Sequence, residues 1–244
     1  MPAQDVAHPQ RGAPIQILAF LGLALPMAAN AVWVQSLQAG GMTLRIMFLG
    51  PLLGGVGLML WILVLHRFLC RDSFDFFGFR RENFGLDIAL GIGLAALTLA
   101  FHYMIGPMIG RLFAPRPPPL QIIELIEGVA RDPWLLALWL GPTVWIGVAL
   151  FEEIARAFLL RRLWLVWPGD TGRWGVILIV SALIGLAHGY QGPAAVLSIG
   201  LNSILLCWVF AKTGRIRALI IHHALYDSVQ IVHAVVMIRG QGSG

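Results

Sequence analysis

The sequence predicts an all-α, polytopic transmembrane helical bundle of about seven spans with a cytoplasmic N-terminus. Three observations lead there. The 244 residues are 58% hydrophobic and only 12% charged, with a mean hydropathy of +0.80, which is the composition of a membrane protein rather than of a soluble domain. Apolar runs fall near residues 15–36, 44–65, 87–110, 134–158, 174–190, 193–211 and 217–238, each about the length a helix needs to cross a bilayer, the fifth and sixth at the short end. The basic residues between runs are unevenly shared. With the N-terminus inside, Arg11, Arg67, Arg71, Arg80, Arg81, Arg161, Arg162, Arg173, Lys212, Arg215 and Arg217 are cytoplasmic, against Arg45, Arg111, Arg116, Arg131 and Arg239 outside.

The formal charge of +5 follows from that topology and calls for no nucleic-acid partner. Cys70 and Cys207 are too few and too far apart for a disulfide framework or a cysteine metal cluster. The polar stretch from Met1 to Pro14 runs on into the first apolar run without a small-residue cleavage site, which argues against a cleaved signal peptide. Pro26, Pro51, Pro107 and Pro142 lie in or at the edges of the runs, where neighbouring helices can re-satisfy the backbone.

Taken in order, residues 1–133 read as N-terminal transmembrane helices and interfacial segments, and 134–238 as a polar-residue-bearing core. Phe74-Asp75-Phe76-Phe77-Gly78-Phe79-Arg80-Arg81 is a basic aromatic segment expected at the cytoplasmic interface, its rings at headgroup level. Pro115-Arg116-Pro117-Pro118-Pro119 cannot be helix interior. After it, Ile122, Ile123, Leu125 and Ile126 with Glu124 and Glu127 predict a short amphipathic surface helix with solvated carboxylates.

Three polar stretches interrupt the later runs. Glu152, Glu153 and Arg156 lie in the fourth. An ionisable residue at that depth costs about 2.5–3.5 kcal/mol, so a group of three needs a reason. A buried ion pair, Glu152 with Arg156 at i, i+4, is one; a general base working within the bilayer is another. His188 ends the fifth run, where small residues at 182, 185, 187 and 189 allow another helix close approach; a lone histidine there can equally be a satisfied hydrogen-bonding residue. His223 and Asp227 share a face of the last run at i, i+4, where the carboxylate can orient the imidazole or both can reach one water or metal. His222 points elsewhere and reads as structural, and His233 has no carboxylate nearby. Together the stretches form a hydrolase-like set. No His-Glu-x-x-His occurs, which removes the soluble zincin arrangement.

With these residues in view, the chain resembles the CAAX-protease and bacteriocin-processing family, the Abi-type intramembrane proteases, most closely across residues 134–233. That family carries Glu-Glu-x-x-x-Arg, Phe-x-x-x-His and His-x-x-x-Asn/Asp on successive helices. His223 and Asp227 match the third motif; His188 matches the second, with Ile184 in place of Phe. Gly192-Pro193-Ala194, Lys212-Thr213-Gly214 and Phe77-Gly78-Phe79-Arg80-Arg81 are also similar to family sequences. The first motif departs from the pattern: only two residues separate Glu153 from Arg156. Anchored on Arg156, Glu152 takes the second-Glu place and Phe151 the first; anchored on the Glu pair, Glu152 comes first. Because Glu152 keeps the i, i+4 relation to Arg156, Glu153 is favoured as base and Glu152 as structural.

The resemblance implies an intramembrane metalloendopeptidase acting on a membrane-associated peptide or protein. Glu152, Glu153, His188, His223 and Asp227 would form the catalytic set, with Arg156 as ion-pair partner. His188, His223 and Asp227 would be the ligands of zinc or another divalent metal, and the inner membrane of a prokaryote the location. The altered first motif supports an alternative, a catalytically silent relative acting as a membrane scaffold or bacteriocin-immunity factor. A proton or ion pathway is the third reading, without the broken-helix repeat that transporters show. Helix rise poses a further question. Glu152 lies roughly 14 Å from Arg161, His223 roughly 9 Å from Arg217 and His188 roughly 22 Å from Arg173, so straight, untilted helices would not bring the three level.

Overall fold

A computed structural model describes residues 12–40, 44–79, 82–113 and 120–241. Arg11, Arg80, Arg81 and the Pro115-Arg116-Pro117-Pro118-Pro119 cluster lie outside the described residues. The described chain is helical throughout, without a strand. Among the described residues, seven helices are long and apolar enough to cross a membrane: Ala13–Ser36, Leu49–Cys70, Phe84–Met104, Pro133–Val166, Gly169–Ala187, Pro193–Thr213 and Ile216–Gly240.

The elements follow in order. Helix α1 (Ala13–Gly40) is followed by α2 (Leu44–Val64), which widens into a π-helical turn, Leu65–Cys70. A single 3-10 turn, Phe74–Phe77, leads to α3 (Phe84–Met104). The third span ends earlier than its apolar run suggests, because Pro107 cannot continue it and instead opens the short α4 (Gly106–Gly110). Helix α5 (Leu120–Arg131) is the expected amphipathic helix. Glu124 is exposed and Glu127 pairs with Arg131 at 3.0 Å, while Val129 and Ala130 bury against Val235. The Asp132 carboxylate accepts from the Trp134 and Leu135 amides, and Pro133 takes the first turn, so α6 (Pro133–Leu138) starts with a complete cap. The same helix continues through a π-helical stretch, Trp139–Leu150, with Gly141 out of helical geometry beside Pro142, and then as α7 (Phe151–Val166). Helices α8 (Gly169–Ala187), α9 (Pro193–Thr213) and α10 (Ile216–Gln241) complete the bundle.

The most extensive contacts join α10 to α3 and α8 to α9. The second depends on Gly185: a Cβ there would stand 2.6 Å from the Val196 carbonyl oxygen and 3.1 Å from the Gly200 α-carbon. The expected small-residue approach is therefore real, and it falls one turn before His188.

Two expectations about the loops are corrected. The aromatic segment does not simply lie at headgroup level. Phe74 and Phe79 are exposed, but Phe77 is buried and Phe76 packs edge-on against Phe158. Arg162, counted above with the cytoplasmic loops, is fully buried. Its guanidinium pairs with Asp72 at 2.6 Å, donates to Gln16 Oε1 at 2.8 Å and to His66 Nδ1 at 3.2 Å, and lies 3.8 Å above the Phe76 ring. Because His66 Nδ1 accepts from the guanidinium, its Nε2 carries the proton donated to the Ser73 carbonyl at 3.0 Å. One arginine thus ties α7 to α1, α2 and the 66–77 loop. Hydropathy cannot show this, since a loop arginine and a buried one are the same letter.

The question of helix level also resolves. The Trp164 indole donates to the Arg173 carbonyl at 3.4 Å, so α8 doubles back beside the end of α7. Measured from that contact, Glu152 lies roughly 18 Å up α7 and His188 roughly 22 Å up α8. At the start of α10, Gly78 (φ +82°) rests against the Gly214 carbonyl, where a Cβ would stand 2.2 Å from the oxygen and 3.5 Å from the Arg161 guanidinium. Arg161 therefore marks the level at which α10 begins.

Replacing Arg162 with Ala removes a buried charge and leaves Asp72 without its partner, a change of the kind that costs about 3–5 kcal/mol. Its expected effect is a lower thermal unfolding midpoint in detergent, with Arg162→Lys restoring only part of it because a point charge cannot make the forked contacts. An unchanged midpoint for Arg162→Ala would show that the network does not hold the bundle.

Candidate active site

Every polar group of the site is placed by a helix. Glu152 and Glu153 sit in the first turn of α7, directly after the π-helical stretch. His188 caps the C-terminus of α8. His223 and Asp227 lie one turn apart on α10. The structure brings all five together.

The two glutamates face different ways, and the outcome corrects the pairing expected from the sequence. Glu153, not Glu152, holds Arg156. Its Oε2 accepts from Arg156 Nε at 2.8 Å and its Oε1 from Nη2 at 3.2 Å, an i, i+3 pair in place of the i, i+4 one. Both side chains are buried, Glu153 completely. Arg156 Nη1 goes on to Ser203 Oγ and, at 3.6 Å, to Cys207 Sγ on α9, and Ser181 Oγ of α8 donates to the same sulfur at 3.5 Å. Every nitrogen of the guanidinium thereby has a partner, as a charge at this depth requires.

Glu153 also accepts from His223 Nδ1 at 2.9 Å. A carboxylate oxygen can only accept, so the Nδ1 proton is committed there. His188 Nδ1 lies 2.8 Å from the Ile184 carbonyl and is committed in the same way. In both rings the opposite nitrogen, Nε2, points to Glu152. The distances are 3.7 Å from His188 Nε2 to Glu152 Oε1 and 3.9 Å from His223 Nε2 to Glu152 Oε2. Asp227 Oδ2 stands 3.5 Å from the same His223 nitrogen. Unlike Glu153, these groups keep some exposure: 16% for His188, 14% for His223, 21% for Glu152 and 25% for Asp227. Of the two glutamates, Glu152 is the one that a reactant can reach.

His222 is structural, as its angle on α10 indicated. It is buried, with Nε2 2.9 Å from Thr98 Oγ1 on α3. His233 lies against Tyr103, ring centroids 5.8 Å apart, away from the carboxylates.

The expected metal ligands flank the two glutamates, His188 and His223 both facing Glu152. Asp227 adjoins His223. The donor chemistry suits zinc, with imidazole nitrogens oriented by second partners and carboxylates beside them. Yet among the described residues no three His, Cys, Asp or Glu side chains come together as a metal site.

Sequence reasoning missed three side chains. Ser203 and Cys207 complete the Arg156 contacts; two small polar residues at i, i+4 in an apolar run were the available signal. Tyr190 sits in the 3-10 turn Gly189–Gln191 just after His188, and its ring stacks on the imidazole at 6.0 Å and 27°.

Residues 133–229 match the family model described as type II CAAX prenyl endopeptidase Rce1-like. The matched segment runs from the start of α6 to two residues beyond Asp227 and so contains all three polar stretches. At the level of the family, the match supports an intramembrane protease of the CAAX type. No curated protein matches the chain, and no solved structure does.

The geometry separates the two glutamates by their effect on stability. Glu153→Gln strips Arg156 of its counter-charge and should lower the unfolding midpoint sharply, in the range of about 3–5 kcal/mol for a broken buried pair. Glu152→Gln, with no arginine partner and partial exposure, should leave it within about 1 kcal/mol. Thermal unfolding of the two purified variants checks this, and equal losses would refute the division of labour.

Proposed function

We propose that the protein is an intramembrane endopeptidase that hydrolyses a peptide bond of a membrane-associated peptide or protein, with Glu152 as the water-activating base. One observation carries the reading: the Nε2 atoms of His188 and His223, on two other helices, each face one oxygen of the Glu152 carboxylate. Separations of 3.7 and 3.9 Å are too long for direct hydrogen bonds. They are the span that one water bridges, hydrogen-bonded to both sides.

In this mechanism Glu152 takes a proton from the bridging water as its oxygen attacks the scissile carbonyl carbon. The water's second proton goes to the Nε2 lone pair of His188, which holds it in line, while His223 closes the other side of the site. The C–N bond of the tetrahedral intermediate then breaks, and the proton on Glu152 passes to the leaving amine. Glu153 acts one step back. It fixes the tautomer and angle of His223 while Arg156 keeps Glu153 ionised and still, the arrangement that orients a working imidazole. Asp227 stands beside His223 Nε2 at 3.5 Å and, being an acceptor, holds the ring through it when that nitrogen carries a proton.

A zinc-like ion, when bound, would supply Lewis-acid polarisation of the carbonyl or the water. The side chains as they stand do not gather three ligands, and no step above passes through one.

Cleavage of a peptide library by the purified protein in detergent tests the reading. Glu152→Gln should lower kcat by about 10²–10⁴-fold, the range for a positioned general base, and His223→Ala should do likewise. Wild type no faster than these folded variants would favour the silent relative, for which the same buried Glu153–Arg156 pair is only a structural lock. Preincubation with a chelator divides the mechanism: unchanged turnover supports the water held by side chains alone, and loss restored by added zinc would show that His188, His223 and Asp227 rearrange around an ion.

A further inference from the structure

Two carboxylates precede Arg156 at helical spacing, and the guanidinium bonds to only one of them. Glu153, three residues before it, accepts from Nε and Nη2. Glu152, four residues before it, accepts from neither and keeps some exposure. Both spacings suit an ion pair on a helix, so the backbone of α7 does not make the choice. The remaining nitrogen, Nη1, is held from α9: it donates to Ser203 Oγ and, at 3.6 Å, to Cys207 Sγ. A hydroxyl oxygen is a full acceptor and a thiol sulfur a weak one, so Ser203 is the stronger hold. Both partners are buried, as is Ser181, whose hydroxyl donates to the same sulfur at 3.5 Å. Helix α9 is itself fixed. A Cβ on Gly185 would stand 3.1 Å from the Gly200 α-carbon, three residues before Ser203. The helix that anchors Arg156 is thus packed backbone to backbone against the one that carries His188.

Resting on the protease reading, we propose that Ser203 is a positioning residue that decides which of the two glutamates serves as base. Its hydroxyl bonds to Arg156, with Cys207 Sγ next at 3.9 Å, and it acts on the site through that guanidinium. With Nη1 held on α9, the opposite edge of the guanidinium, Nε and Nη2, lies side-on to Glu153. Glu153 in turn keeps its contact with His223 Nδ1 at 2.9 Å, and Glu152 stays outside any arginine pair. Without the hydroxyl, Nη1 becomes a buried donor with a sulfur as its only partner, which is unfavourable. The acceptor to which it then turns is Glu152, at the second of the two helical spacings. A guanidinium on Glu152 would lock that carboxylate into an ion pair and withdraw it from the water between it and the imidazoles. Helix α9 thereby enters the catalytic arrangement although none of its side chains stands among Glu152, His188, His223 and Asp227.

The test uses the full-length protein in detergent and a peptide that wild type cleaves. Ser203→Ala removes the acceptor and little volume. In turnover, kcat should fall by at least about 10-fold, toward the loss expected for the base itself, with KM within about twofold of wild type. Ser203→Ala combined with Cys207→Ser, which offers Nη1 a hydroxyl again one turn along α9, should recover most of the lost kcat. In thermal unfolding, Glu152→Gln should lower the midpoint of Ser203→Ala by at least about 5 °C more than it lowers that of wild type, because only there has Glu152 become the arginine's partner. Additive midpoints, or a kcat within about twofold of wild type, would overturn the assignment. Parallel changes in kcat and KM that the added Cys207→Ser does not recover would also overturn it, making Ser203 a packing residue. Should Ser203→Ala not fold, Ser203→Cys, which exchanges a full acceptor for a weak one, takes its place with the same expected and overturning results. A wild type that cleaves no peptide at all would bring down the protease reading, while the unfolding comparison still judges the hold of Ser203 on Arg156.

Discussion

The buried pair of Glu153 and Arg156 is the constraint on which the rest of the site depends. Two opposite charges lie fully enclosed in a run that otherwise reads as membrane-spanning, where neither could stand alone. Each has spare valence after meeting the other, and the structure spends it on neighbouring helices: the carboxylate on His223 of α10, the guanidinium on Ser203 and Cys207 of α9. The pair therefore does more than cancel charge. It sets which nitrogen of His223 carries its proton, and so which one faces Glu152. A carboxylate sealed in an ion pair and one left partly exposed are neighbours in sequence with separate surroundings.

Helix geometry explains how neighbours can differ so much. Successive residues on an α-helix point about 100° apart, so when Glu153 turns inward to Arg156, Glu152 must face the gap between α8 and α10. The π-helical stretch just upstream, Trp139–Leu150, means that the angular phase of α7 cannot be projected from the preceding turns. π-Helical turns are frequent next to functional sites, and here one immediately precedes the two glutamates.

Much of this was legible in the sequence. Span number follows from hydropathy and length, which the bilayer imposes on any chain that crosses it. The three polar stretches stood out because ionisable groups in apolar runs are costly. Which glutamate pairs with Arg156 was not legible: i, i+3 and i, i+4 are both sterically open, and the choice falls to Ser203 and Cys207, about fifty residues away, which fix where the guanidinium points. Tyr190 escaped notice because it lies in the one-turn link after His188, outside any periodic pattern. Arg162 was misplaced for a related reason: its partners Gln16, His66 and Asp72 come from the part of the chain where resemblance to known sequences is thin.

That last network separates two ideas of a domain. The segment that resembles a protease family begins at residue 133, yet a helix inside it completes its electrostatics only with residues from the first third of the chain. Excised, residues 133–229 would carry a naked guanidinium at Arg162 and an uncovered Phe158. Recognisable ancestry and cooperative folding have different borders in this molecule. A change at Gln16, His66 or Asp72, outside the matched segment, is thus felt at Arg162 inside it.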